Sequence, residues 1–259
     1  MPRLYIIKIG GNVIDDDVLL DAFLKDFATV EGNKILVHGG GKMATAMAKD
    51  LNIEQQLVEG RRITDAATLK VITMVYAGYI NKNIVAKLQA HNCNALGLTG
   101  ADANAILSHK RVHPTIDYGF VGDVDAVNIS FLQLLLQQNI IPVMAPVTHD
   151  HHGLLLNTNA DTIAQEIAKC LATIYDVTLI YCFEKNGVLQ NAEDDTSVIR
   201  KMDRQLFQQM KTAGAIYAGM IPKLDNAFAA LDSGIDKVVI GNSAFLNQLI
   251  SEDAGTTIS

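Results

Sequence analysis

Short β-branched runs alternate with longer stretches of helical period along this chain, and that alternation restricts it to a mainly parallel sheet covered by helices on both faces. Leu4–Ile9, Lys34–His38, Ala95–Thr99, Ile140–Ala145, Val177–Cys182 and Lys237–Ile240 read as buried strands. Asp16–Thr29, Lys42–Leu51, Ala66–His91, Ser130–Gln138, Thr158–Ala172, Arg204–Ala213 and Pro222–Ser233 read as helices. Between Ser108 and Val127 the alternation shortens around His-Pro, Asp-Tyr-Gly and Val-Gly-Asp, which predicts hairpins. No linker, low-complexity tract or fixed repeat divides the 259 residues. The break between a helix and a strand at Ala172–Asp176 suggests two lobes on one continuous sheet, 1–173 and 174–259.

Composition narrows the partners. With 49% hydrophobic and 19% charged residues a large core is available. A net charge of −7 argues against nucleic acid or an anionic membrane as the main partner. The unpaired spacing of Cys93, Cys170 and Cys182, a polar N-terminus and the lack of a membrane-length apolar run predict a soluble cytoplasmic protein.

Two glycine loops then mark a ligand end of the sheet. Leu4–Ile9 runs into Gly10-Gly11-Asn12, and Lys34–His38 into Gly39-Gly40-Gly41. Open α/β sheets bind ligands at the carboxyl ends of strands, where glycines let backbone N–H groups approach an anion. One such loop reads as a tight turn; two in succession favour an anion site. A P-loop is excluded, since Leu36 stands where its first glycine belongs and Met43 follows Gly41-Lys42. Gly39-x-Gly41-x-x-Ala44 does satisfy a loose dinucleotide fingerprint, so a nicotinamide enzyme stays open.

Two charges sit in costly places. Lys8, near the end of an apolar strand, either reaches solvent or meets a negative partner in the crevice. Lys223 opens a helix behind Pro222 and opposes its dipole, which an external anion would relieve; an exposed lysine is the plainer alternative. Asp161, in Asn157-Thr158-Asn159-Ala160-Asp161, is explained by helix capping alone and is also placed to orient a lysine. Arg61-Arg62 reads as a surface pair unless one arginine forks onto a carboxylate. His149-Asp150-His151-His152 suits a solvated turn better than a metal site.

In order, Ile7-Lys8-Ile9-Gly10-Gly11-Asn12, Val37-His38-Gly39-Gly40-Gly41, Gly60-Arg61-Arg62-Ile63-Thr64, Gly119-Phe120-Val121-Gly122-Asp123-Val124, Leu156-Asn157-Thr158-Asn159-Ala160-Asp161 and Gly219-Met220-Ile221-Pro222-Lys223 resemble the amino acid kinase family, and within it the branch acting on N-acetylglutamate. The resemblance implies an open αβα sandwich with a mainly parallel sheet, an N-terminal lobe for the amino-acid substrate and a C-terminal lobe for ATP with Mg²⁺. It implies that Lys8 and Lys223 stabilise the transferring phosphoryl group while Asp161 orients them. Gly10, Gly11, Glu184, Gly187 and Lys223 would meet the nucleotide, and Gly40, Gly41, Arg62 and Asn157 the substrate. No protein-bound metal is expected. The product would be an acyl phosphate in arginine biosynthesis, with N-succinyl-L-glutamate as the alternative acceptor and a non-catalytic sensor as a further one.

Two departures from the family pattern matter. Phe183-Glu184-Lys185-Asn186 replaces the usual Thr-Asp-Val before Gly187-Val188-Leu189. The first strand also starts almost at once, without the extra helix that joins arginine-inhibited relatives into hexamers, so the expectation is a homodimer lacking that control.

Overall fold

The computed structural model describes residues 1–58, 61–191, 193–216 and 220–259. Gly60 and Gly219, which open two of the motifs above, lie outside the described residues.

The strands are β1 (Arg3–Ile9), β2 (Asn33–His38), β3 (Gln56–Val58), β4 (Arg61–Ile63), β5 (Ala95–Leu98), β6 (Ile106–Lys110), β7 (Gly122–Val127), β8 (Ile141–Met144), β9 (Val147–His149), β10 (Leu155–Asn157), β11 (Asp176–Phe183), β12 (Lys201–Met202), β13 (Lys237–Asn242) and β14 (Thr256–Ile258). Eight of them form the central sheet in the order β12-β14-β13-β11-β1-β2-β8-β5. Its pairs are parallel except β13 with β14. The six strands expected from sequence are its inner members and one edge. The additional pair, β12 and β14, is too short to show a period. The 108–127 hairpin is present as antiparallel β6 and β7, which join β9 and β10 in a second sheet.

The helices are α1 (Gly11–Ile14), α2 (Asp17–Thr29), α3 (Gly41–Asp50), α4 (Ala66–Ile72), α5 (Asn81–Ala90), α6 (Ile129–Gln137), α7 (Ala160–Leu171), α8 (Arg204–Thr212), α9 (Ile221–Asp232) and α10 (Leu246–Ile250). The helix expected over Ala66–His91 is α4 and α5 joined without a break by a π-helical segment, Thr73–Ile80.

Strand alternation decides which layer each side chain meets. Leu4 and Ile6 of β1 enter the core layer that holds Ile163 and Ile167 of α7 and Leu224 of α9. Tyr5, Ile7 and Ile9 enter the opposite layer, with α2 and the Ala66–Ala90 helix. Lys8 shares the parity of Leu4 and Ile6, so it points toward α7 and α9 at the end where both helices begin. Lys8 is in register with Val37 on β2 and Tyr181 on β11, and Ile9 with His38 and Cys182. The two glycine loops therefore leave the sheet side by side.

Candidate active site

The first turn of α7 meets Lys8. Asn159 caps this helix by accepting from the N–H groups of Asp161 and Thr162. Asp161 then lies 2.7 Å from the Lys8 ammonium, with both side chains largely shielded from solvent. A carboxylate in the first turn also suits the helix dipole. The cost of placing Lys8 at the end of a buried strand is thus offset by a fixed partner.

Lys223, in the first turn of α9, faces the same point. Its ammonium lies 4.4 Å above the Phe183 ring. Burial and then the nearby Lys8 charge lower its pKa, against the opposite pull of Asp161 and Glu184. The residue keeps contact with solvent while its charged end sits in the cleft. Two cations thus share one carboxylate, an arrangement that favours an incoming anion.

Two cavities meet there. One, of about 310 Å³, runs from Lys8, Gly10 and Gly11 past Cys182, Phe183 and Glu184 to Lys223. The other, of about 570 Å³, runs from the same lysine and loops past Gly39–Gly41, Arg62, Tyr76 and Arg111 to Asn157. Lys8, Gly10, Gly11, Gly41, Lys42, Asp161 and Asn226 border both. A third pocket, of about 180 Å³ and mostly apolar, is lined by Gly187, Val188, Leu189, Ile216 and Met220 with Lys185 and Glu193.

The larger cavity is rigidly built. Arg62 donates to the Gly41 carbonyl at 3.0 Å and to Thr45 Oγ1 at 2.8 Å, and also bonds Gln55. Asn157 donates to Thr64 Oγ1 at 3.0 Å, which ties β10 to the segment after β4. Gly40 has φ +151°, and a Cβ there would come within 2.4 Å of Ile80 and 3.0 Å of the Tyr76 ring. Only glycine fits this position comfortably.

Of the site residues expected from sequence, all but Gly187 border the two adjoining cavities, with Glu184 exposed at the rim, and Gly187 lines the third, apolar pocket. Sequence reading missed Lys42, Tyr76, Arg111 and Asn226. Lys42 bonds Asn12 across the two glycine loops. Arg111 pairs with Asp123 across the β6–β7 hairpin. Asn226 had a local signal, since it lies three residues after Lys223 on one helix face. Tyr76 and Arg111 had none. His149, by contrast, bonds Asn104 and the Asp150 carbonyl beside the turn at 150–153.

Residues 3–242 match the family described as the amino acid kinase family. The chain belongs to the amino acid kinase family. Among amino acid kinases it is 57% identical to an acetylglutamate kinase of Cytophaga hutchinsonii over 98% of this chain and 96% of the relative. It is 54% identical to an acetylglutamate kinase of Bacteroides fragilis over 99% and 97%. In fold it is similar to a Streptococcus mutans protein at TM-score 0.76, 25% identity and 99% and 98% coverage. It is also similar to N-acetylglutamate synthase of Neisseria gonorrhoeae, solved with coenzyme A and N-acetyl-glutamate, at TM-score 0.84 and 20% identity; it spans 99% of this chain and 59% of that longer one. The αβα architecture with its mainly parallel sheet is that of the amino acid kinases.

Proposed function

We propose that this protein transfers the terminal phosphoryl group of ATP to the side-chain carboxylate of N-acetyl-L-glutamate, giving an acyl phosphate in arginine biosynthesis. The observation that carries the reading is the Lys8–Asp161 pair at the junction of two cavities, with Lys223 beside it. The acceptor carboxylate, with a reference pKa of about 4.3, is already ionised at neutral pH and needs no general base. What the reaction needs is two anions brought into line and their developing charge stabilised. Lys8 and Lys223 supply positive charge at the junction, and Asp161 holds Lys8 in place. The Gly10–Gly11 and Gly40–Gly41 loops turn backbone N–H groups toward the two ligands. Arg62 and Asn157 take the α-carboxylate and the acylamino end. Neither a nicotinamide enzyme nor a sensor requires this set of charges.

The lining of the cavities supports the two-lobe assignment, 1–173 for the amino-acid substrate and 174–259 for the nucleotide. Every residue bordering the larger cavity except Asn226 falls in the first segment, and the apolar pocket is lined wholly by the second. That pocket suits the adenine, with Gly187 on its wall. Asp161 and Glu184 are the carboxylates of the smaller cavity, and Asp161 is committed to Lys8. Mg²⁺ would therefore enter on the ATP phosphates, where it neutralises charge on the β- and γ-oxygens.

Among the described residues no helix is long and apolar enough to cross a membrane; with an internal biosynthetic substrate, the cytoplasm is the fitting compartment. A homodimer is supported by Met74 and Tyr79 of the π-helical segment and Leu96 of the edge strand β5, large apolar side chains left exposed.

N-succinyl-L-glutamate is a second reading, favoured by one observation. Arg61 borders the same cavity as Arg62, one more cationic group than a single α-carboxylate and a neutral acetyl require. ADP release with N-acetyl-L-glutamate, N-succinyl-L-glutamate and free glutamate, with hydroxylamine to trap acyl phosphate, decides among them. Turnover of N-acetyl-L-glutamate alone supports the first reading, and a preference for the succinyl compound the second. Release of ADP with none of the three would overturn both.

A further inference from the structure

A chain of polar groups, buried at His38 and Asn81 and reaching the surface at Lys82, runs behind the Gly39–Gly41 loop away from the cavity junction. His38, the last residue of β2, is fully buried. Its Nδ1 lies 2.8 Å from the Gly39 carbonyl, and its Nε2 lies 3.1 Å from Asn81 Nδ2. The same amide nitrogen donates to the Val143 carbonyl at 2.9 Å, and Asn81 Oδ1 accepts from Lys82 Nζ at 3.1 Å. Lys82 in turn donates to the Gly97 carbonyl on β5 at 2.9 Å.

These partners leave one consistent arrangement of protons. A carbonyl can only accept, so Nδ1 carries the hydrogen and donates to Gly39. Nε2 is then bare and accepts from the Asn81 amide. Turning that amide over would set its oxygen against the Val143 carbonyl and its NH₂ against the Lys82 ammonium, so Val143 and Lys82 lock the orientation. Burial holds the imidazole neutral by lowering its pKa to about 4, with the Lys82 charge adding to the effect and the Gly39 bond opposing it.

The backbone is shaped around this chain. A Cβ at Gly97 would fall 2.0 Å from Asn81 Oδ1 and 2.8 Å from Lys82 Nζ. The π-helical segment Thr73–Ile80 also bears on it. A π turn closes on i→i+5, which brings residue 81 beneath residue 76 where an α-helical turn would bring residue 80. Tyr76 and Ile80 press on Gly40 while Asn81 reaches His38, so one widened turn supports both sides of the same loop.

We infer that His38 and Asn81 are positioning residues: the Nδ1–H of His38, with Asn81 fixing its tautomer, pins the Gly39 carbonyl so that the Gly40 and Gly41 N–H groups face the acyl-amino-acid substrate. The inference rests on the proposed reaction for its kinetic readout. Asparagine can place an N–H near the imidazole Nδ1, whereas glutamine reaches the Nε2 side. His38→Asn is therefore expected to keep kcat/KM for the acylated glutamate within about threefold, and His38→Gln to lose about tenfold or more, with the KM for ATP unchanged in both. A purely packing role would move the two variants alike, and equal losses overturn the inference. If the unaltered protein turns over no acylated glutamate, the proposed reaction fails instead.

A second measurement needs no variant and no substrate. In ¹⁵N-histidine-labelled native protein, the ring that does not titrate between pH 8 and about pH 5 is expected to show the Nδ1–H tautomer. An Nε2–H tautomer, or an imidazolium at neutral pH, would refute the arrangement even if both variants failed to fold.

Discussion

At the scale of single residues, the site depends on two like charges held near one carboxylate. Lys223 carries a pKa below the ordinary lysine range because it is partly buried and faces Lys8. Its role requires the charged form, which is lost as pH rises through that lowered pKa. The kcat/KM, which reports the ligand-free enzyme, should therefore fall on the alkaline side at a pH below the ordinary lysine value of about 10.4. The Asp161 charge raises the Lys223 pKa, so Asp161→Asn should lower it further. The expected result is a smaller kcat and an alkaline limb displaced to lower pH, read from ADP release across pH. A limb that stays in place or moves upward would sink the assignment. Lys223→Ala removes a charge proposed to act on the transferring group, and its kcat is expected to fall by about 10²-fold or more. Full turnover by that variant would leave the proposed chemistry without its second cation.

At the scale of elements, α2 ends on a side chain that sequence reading placed merely at the start of a strand. Lys34, only 4% exposed, donates to the carbonyls of Phe27, Ala28 and Val30 at 2.8, 3.1 and 2.6 Å. These are carbonyls at the end of α2, where a cation also meets the negative end of the dipole. Lys34→Met would fill the space and take the ammonium away from three carbonyls, of which Phe27 keeps the Val30 N–H, a loss of about 1–3 kcal/mol in urea unfolding. Unchanged stability would mean that the carbonyls find water instead. The same contrast explains what the sequence could show of the fold. Inner strands such as Leu4–Ile9 and Val177–Cys182 announce themselves because burial on both faces demands continuous apolar runs. The Ala66–His91 helix shows its extent but not its π turn, since one widened turn leaves no periodic mark. Lys8 and Lys223 were legible because each breaks a local rule of burial or dipole, whereas Asp161 obeys both and was legible only through its motif. Tyr76 and Arg111 break none, and reach the cavity only through tertiary placement.

At the scale of the whole molecule, the sheet leaves β5 as an edge beside β8, and an unpaired edge is a hazard unless something covers it. The π-helical segment that leads into α5, the helix packed against β5, exposes Met74 and Tyr79, the latter 65% accessible, and β5 itself exposes Leu96. Met74 and Tyr79 are five residues apart within the π-helical segment, so its i→i+5 closure sets them on one face. This is also the segment whose opposite face, through Tyr76 and Ile80, supports Gly40. If the proposed homodimer forms here, association would stiffen the turn that carries the substrate loop, and the oligomer would matter to catalysis without lending a residue to the site. Light scattering of the native protein should then give twice the 28.1 kDa of the chain. Tyr79→Lys should shift the mass toward the single chain and raise the KM for the acylated glutamate more than that for ATP, since Gly40 is proposed to meet only the first ligand. A native monomer or hexamer would remove the dimer proposal. A monomeric Tyr79→Lys protein with unaltered kinetics would keep the interface and remove its link to the loop.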